Sequence, residues 1–201
     1  MKNQKEIKVD YDSKISNLSK KLLISVPYRD RKEQYNFFLN HIKTYFLHDK
    51  FDKNLNVRIC FVEQSNKKLF NLGSLNNVGF LANEDYLDYI VINNIDFLPI
   101  YSDFSYSDNP MLLIKYGYDN LPVKPSDQSL KNIIRAPSRN HVFLGSVLIP
   151  KKIFKEVNGY SNSYWGWGFE DSDMKNRLEN IKIKIKYRDG LYHPLIHDNL
   201  G

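Results

Sequence analysis

Apolar runs of strand length alternate with stretches of helical period from Leu22 to Asn93, and this order predicts an α/β fold, a mostly parallel sheet with helices on its faces. Two further observations agree. At 201 residues the chain can bury one substantial core, and no linker-like stretch divides it, so a single domain is expected. Its composition, 42% hydrophobic, 14% aromatic and 26% charged, is that of a folded chain.

Residues 1–21 are polar with scattered Ile, Leu and Val, and read as a helical or partly ordered lead-in to a domain over 22–201. Leu22-Leu23-Ile24-Ser25-Val26-Pro27 is a short apolar run stopped by proline, the pattern of a buried strand. Tyr35, Phe38, Leu39, Ile42, Tyr45 and Phe46 then recur at three- and four-residue steps, which predicts a helix with one face in the core. A strand over Val57 to Glu63, a helix over about Leu69 to Asn83 and a strand over Tyr89 to Asn93 follow. Prolines recur from Pro110 to Pro137 within Tyr101 to Arg139, and with little periodicity there the stretch reads as a long loop or small accessory region. Val142 to Ile149 is another apolar strand, after which Pro150 opens a helix that Gly159 closes. A last helix is expected over Met174 to Glu179.

Lysine and arginine outnumber carboxylates by 29 to 23, but the excess is spread along the chain. A nucleic-acid partner would call for a concentrated basic stripe, and the nearest candidate, Lys182 to Arg188, alternates Ile with Lys as a half-buried strand does. Cys60 is alone in an apolar run and reads as a small buried hydrophobe. No run reaches the length of a membrane span and the start lacks the apolar stretch of a signal peptide. These features predict a protein of the cytoplasm, or of a lumen such as the Golgi only if an anchor has been trimmed.

Ligands of parallel sheets bind beyond the carboxyl ends of the strands, and chemistry is expected there. Asn94-Ile95-Asp96 follows directly on an apolar strand, so Asp96 can offer the hard oxygen a divalent cation needs, or it can simply start a turn. His193 and His197, four apart around Pro194, can complete such a site or be surface histidines near a terminus. The segment Tyr164 to Asp173 holds both tryptophans, two glycines and three carboxylates at the start of the last helix. Acidic residues suit a helix N-terminus. That account leaves the tryptophans unexplained, whereas the apolar face of a sugar ring would explain them.

Trp165-Gly166-Trp167-Gly168-Phe169-Glu170-Asp171-Ser172-Asp173 resembles the signature Trp-Gly-Trp-Gly-Gly-Glu-Asp-Asp-Asp of the β-1,4-galactosyltransferase family. Other matches follow in family order across nearly the whole chain. Pro27-Tyr28-Arg29-Asp30-Arg31 is similar to its Pro-Phe-Arg-Asn-Arg strand end. Phe70-Asn71 with Leu75 to Phe80 is similar to its uracil-contacting helix, Asn94-Ile95-Asp96 to its Asp-Val-Asp metal motif, and Phe143-Leu144-Gly145-Ser146-Val147 to its donor-sugar strand.

The resemblance implies a GT-A fold and an inverting, Mn²⁺-dependent transfer of a sugar, galactose first, from a UDP-sugar to a glycan hydroxyl. It implies donor binding by Pro27, Tyr28, Arg29, Arg31, Phe70, Asn94, Gly145 and Ser146, with the arginines on the diphosphate and Phe70 near the base. It implies an acceptor site of Trp167, Gly168, Glu170 and Asp171, with Asp171 as base and Glu170 holding the sugar. Asp96 and His197 would bind the metal, with His193 substituting for a family methionine whose place Pro194 takes.

Asn94, Leu72, Ser172 and Phe143 depart from the family pattern, which leaves the reaction class intact but opens the donor to N-acetylgalactosamine or xylose. The chain ends four residues after His197, where the family continues into a mobile lid, so weak activity or a lid from elsewhere is expected. With one cysteine and no anchor, a bacterial or viral relative acting in the cytosol is expected. The alternative is a degenerate member that binds a nucleotide-sugar or glycan without catalysis; a chondroitin-type polymerase module would usually sit in a longer chain.

Overall fold

The structure is a computed structural model and describes residues 6–9, 20–47, 55–114, 116–118, 135–137, 145–166, 168–188 and 190–195. In chain order the elements are β1 (Glu6–Val9), β2 (Lys21–Tyr28), α1 (Lys32–Leu47), β3 (Asn56–Glu63), α2 (Leu72–Leu81), β4 (Tyr89–Asn93), β5 (Phe97–Tyr101), β6 (Met111–Leu112), β7 (Tyr116–Tyr118), β8 (Arg135–Pro137), β9 (Ser146–Pro150), α3 (Lys151–Glu156), α4 (Glu170–Asn180), β10 (Lys186–Tyr187) and β11 (Leu191–Pro194). The main sheet runs β1-β3-β2-β4-β9-β6-β10. Its centre, β3-β2-β4, is parallel, and β9 closes against β4 antiparallel.

The centre is parallel because β2-α1-β3 and β3-α2-β4 are crossover units, and their two helices cover opposite faces. Phe38, Ile42 and Phe46 of α1 are buried with Leu22, Ile24, Val26, Ile59 and Val91. Leu75 and Phe80 of α2 pack with Leu23, Cys60, Val62, Ile90 and Ile92, and α3 and α4 share that face. Tyr, Asn, Phe and Thr make α1 an indifferent helix former by tenths of a kcal/mol per residue, whereas each buried Phe or Ile contributes about 1.5–3 kcal/mol, so packing decides. Successive connections run to opposite sides of β2, which puts the topological crevice at the carboxyl ends of β2 and β4.

Several expectations are corrected. The lead-in contributes a strand, β1, paired antiparallel to β3, whose outer edge would otherwise be open. The helix expected to Asn83 stops at Leu81 in a turn, and the strand expected from Val142 is described from Ser146 onward. Within the proline-rich stretch, β7 and β8 join β5 and β11 in a second sheet, ordered β5-β11-β7-β8. The last helix begins four residues before Met174, at Glu170, so the carboxylates are in its first turn. Of the Lys182 to Arg188 alternation only β10 pairs, in parallel with β6.

Candidate active site

Beyond the end of β2 the chain turns at Asp30, whose φ of 52° is left-handed, and presents Arg29 and Arg31 on either side. Arg29 reaches across to the next loop: its guanidinium donates to the Lys68 carbonyl and lies 5.7 Å from the centre of the Phe70 ring. Pro27 is buried within β2. Tyr28 stacks on Tyr35 at 5.3 Å, and burial, with Glu63 beside it, pushes its phenol up to about 12. Its ring is thus packed on α1 while staying half-exposed at the end of β2.

Gln64 organises the loop carrying Phe70. Its amide donates to the carbonyl of Leu69 at 3.0 Å, and its oxygen accepts from the Asn71 amide at 2.8 Å. Asn71 in turn caps α2, accepting from the Ser74 amide at 2.8 Å, and its side-chain nitrogen donates to the Asn162 carbonyl at 2.8 Å. Asn77 completes the seam: it donates to the Tyr160 carbonyl at 2.7 Å and to Asn162 Oδ1 at 2.9 Å, and accepts from the Tyr160 amide at 2.8 Å. Contact is close because the facing residues are small. A Cβ on Gly73 would lie 2.3 Å from the Ser161 carbonyl oxygen, and one on Gly79 2.2 Å from Ser25 Oγ. Asn77→Ala removes three bonds and strands main-chain partners, so we expect a loss of about 2–3 kcal/mol and a Tm lower by roughly 5–10 °C, read by thermal melting.

This seam hands the chain to the tryptophan segment. Gly166 donates its amide to the Phe70 carbonyl at 2.8 Å, joining that segment to the loop before α2. Gly166 and Gly168 have φ of 88° and 102°, and a Cβ on Gly168 would meet nothing within 4 Å, so the backbone there is open. Trp167 lies outside the described residues. Arg177 holds α4 in place through Asp173 at 2.8 Å and through the carbonyls of Val157 and Gly159 at 2.7 and 2.6 Å. Asp173 is therefore structural. Glu170 is only 8% exposed, and its Oε2 has no hydrogen-bond partner among the described residues. Burial, with Glu170 beside it, pushes Asp171 up to about 8. Tyr160 is buried near both carboxylates, and burial chiefly holds its phenol protonated. An unsatisfied buried carboxylate beside one poised near neutrality is costly to fold and suited to receive hydroxyls and a proton.

At the end of β4, Asn94 donates its amide to the Gly145 carbonyl at 2.8 Å, and Asp96 accepts from the Leu195 amide at 2.6 Å. Gly145, with φ of 75°, leaves room for Ile114, whose Cδ1 would lie 2.7 Å from an added Cβ. Ser146 is fully buried and its hydroxyl accepts from Tyr192 at 3.0 Å, so a donor contact from this side chain is corrected to a core one. His193 is half-buried beside His41 of α1, and that burial and neighbour hold its ring below the usual histidine range. His197 lies outside the described residues, and no group of three ligating residues occurs among the described ones. Phe169, exposed at the start of α4, was missed by the sequence reading, although phenylalanine in place of the signature's second consecutive glycine was visible.

The N-terminal region of glycosyl transferase group 7 matches residues 3–108, and the N-terminal domain of galactosyltransferase matches residues 132–197. Xylosylprotein 4-beta-galactosyltransferase of Caenorhabditis elegans is 31% identical over 183 residues, which are 85% of this chain and 54% of that protein. The crystal structure of the catalytic domain of Drosophila β-1,4-galactosyltransferase 7 in complex with xylobiose superposes with a TM-score of 0.70 at 26% identity, covering 89% of this chain and 71% of that one. A mutant of the fly protein in complex with manganese, UDP-Gal and xylobiose shares the fold with a TM-score of 0.69 at 24% identity, over 89% of this chain and 71% of that chain. The chain spans about half the length of the curated relatives it matches. Those relatives come from nematode, fly, rodents and human, which corrects the expected cytoplasmic location and bacterial or viral kinship. Among the described residues no helix is long and apolar enough to cross a membrane. The GT-A fold matches the expected class, and a group 7 match over more than half its length makes the chain a member of the glycosyltransferase family that includes the β-1,4-galactosyltransferases.

Proposed function

We propose that this chain is an inverting glycosyltransferase that moves a sugar, galactose first, from a UDP-sugar to a hydroxyl of a glycan, with Asp171 as the base. The observation that carries the reading is the carboxylate pair at the start of α4: Asp171 raised to about 8 next to a buried Glu170 with an unpartnered oxygen. A base whose pKa lies near the working pH combines availability with driving force. Asp171 takes the proton of the acceptor hydroxyl as that oxygen forms its bond to the anomeric carbon, and the bond from that carbon to the UDP oxygen breaks with its electron pair. Glu170 accepts a hydrogen bond from a neighbouring acceptor hydroxyl and fixes its orientation. Arg29 and Arg31 face the diphosphate, and Phe70 lies beside the base.

The fly relative was crystallised with manganese, and a carboxylate with an imidazole suits that ion. We assign it to Asp96 and His197. The backbone bond from Leu195 to Asp96 supports this, because two residues of chain reach at most about 7 Å. His193, half-buried on β11, is the second imidazole available to the set, and burial favours its neutral, ligating form. When bound, the metal would stabilise charge on the departing diphosphate.

Calorimetric titration with UDP-galactose, UDP-N-acetylgalactosamine, UDP-glucose and UDP-xylose, each with and without Mn²⁺, tests the reading. One UDP-sugar is expected to bind in a Mn²⁺-dependent way. A well-folded protein that binds none of them would overturn the donor assignment.

A further inference from the structure

Phe169 sits at the N-cap of α4 with φ of 75° and ψ of −23°, a left-handed conformation that costs a residue carrying a Cβ free energy. Among the described residues neither a side-chain cap nor core packing offsets that cost. The side chain makes no capping hydrogen bond, and the residue is 76% exposed, so its ring does not contribute to the core. The family signature has glycine here, which fits this backbone without strain. A bulky ring kept in a strained, exposed position one residue before the carboxylate pair calls for a ligand.

The segment just before it presents further exposed apolar groups. Trp165 is 45% and Leu69 52% exposed, Lys68 Nζ lies 5.3 Å from the Trp165 ring, and a Cβ on Gly166 would touch Leu69 Cδ1 at 3.8 Å. Trp165 and Leu69 thus stand beside Gly166, and Phe169 directly follows the open backbone of Gly168. A sugar ring presents hydroxyls at its edge and C–H groups on its face, and here a buried and a half-buried carboxylate directly follow an exposed ring.

We propose that Phe169 is a stacking platform for the acceptor ring beyond the one that reacts, so that the chain selects extended glycans over single sugars. The proposal rests on the reading of Glu170 and Asp171 as the acceptor site. It is tested by measuring kcat/KM with UDP-galactose and Mn²⁺ for two acceptor pairs, methyl β-xyloside against xylobiose and N-acetylglucosamine against its β-1,4-linked disaccharide, in the unmodified chain and in Phe169→Gly, Phe169→Asn and Phe169→Tyr. The preference for the disaccharide is expected to fall roughly three- to tenfold in the Gly and Asn variants, through KM, and to be kept in Phe169→Tyr. Phe169→Gly should melt no lower than the unmodified chain, since it relieves the strained backbone. An unchanged preference in a chain that does transfer overturns this inference alone, as does an equal loss in Phe169→Tyr. Absence of transfer to all four acceptors by the unmodified chain overturns the underlying reading as well.

Discussion

Asp171→Asn is expected to slow transfer by a factor on the order of 10² to 10⁴ while leaving Mn²⁺-dependent UDP-sugar binding nearly unchanged. The amide keeps the shape of the side chain but cannot take the acceptor proton. The same group predicts a pH profile. Asp171 must be ionised to act, and burial next to Glu170 raises it to about 8, so kcat/KM should climb with pH through about 8, a limb that Asp171→Asn would lack. Stability should move in the opposite sense. The folded pKa lies above the ordinary value of 3.8, so the folded state holds the proton more tightly than the unfolded chain. Its stabilising contribution is full below about pH 4 and is lost as pH rises through about 8. The substitution should therefore raise stability at pH 7 and above, by about 1–3 kcal/mol once screening of a half-buried group is allowed for. A slow variant that melts higher is the signature of a residue kept for chemistry. Undiminished turnover would sink the assignment of the base.

The alternation that predicted the fold was legible because each central element carries its own period. β2, β3 and β4 are continuous apolar runs, as strands covered on both faces must be, and α1 shows a three- and four-residue apolar step. What sequence could not show depends on partners distant in the chain. β1 forms because β3 has an open edge, and nothing local in Glu6 to Val9 announces that. Ser146 reads like a donor contact beside Gly145, yet the fold brings Tyr192 onto its hydroxyl. His193 stands near His197 in sequence, but β11 aligns it with β5 and sets it beside His41. The signature at α4 was readable as chemistry only through its resemblance, since acidic first turns are common. Burial adds what spacing lacked, by separating Asp173, bonded to Arg177, from Glu170, whose buried Oε2 has no partner among the described residues.

Asp96→Ala should remove at least about 100-fold of the Mn²⁺ enhancement of UDP binding, read by titration with and without the ion. Asp96 is held by its main chain, whose carbonyl accepts from Leu195, and the turn is fixed from the other side by the bond from Asn94 to Gly145. Neither bond uses the carboxylate. Truncating the side chain leaves these two main-chain bonds available, and a circular dichroism spectrum like that of the unmodified chain would show that the lost metal response is not a loss of fold. With Asn94 in place of the family's first Asp, that motif offers one fewer charge to the ion, so more of the electrostatic attraction rests on Asp96. A Mn²⁺ enhancement that survives Asp96→Ala would put the metal on other residues and detach the diphosphate from the end of β4.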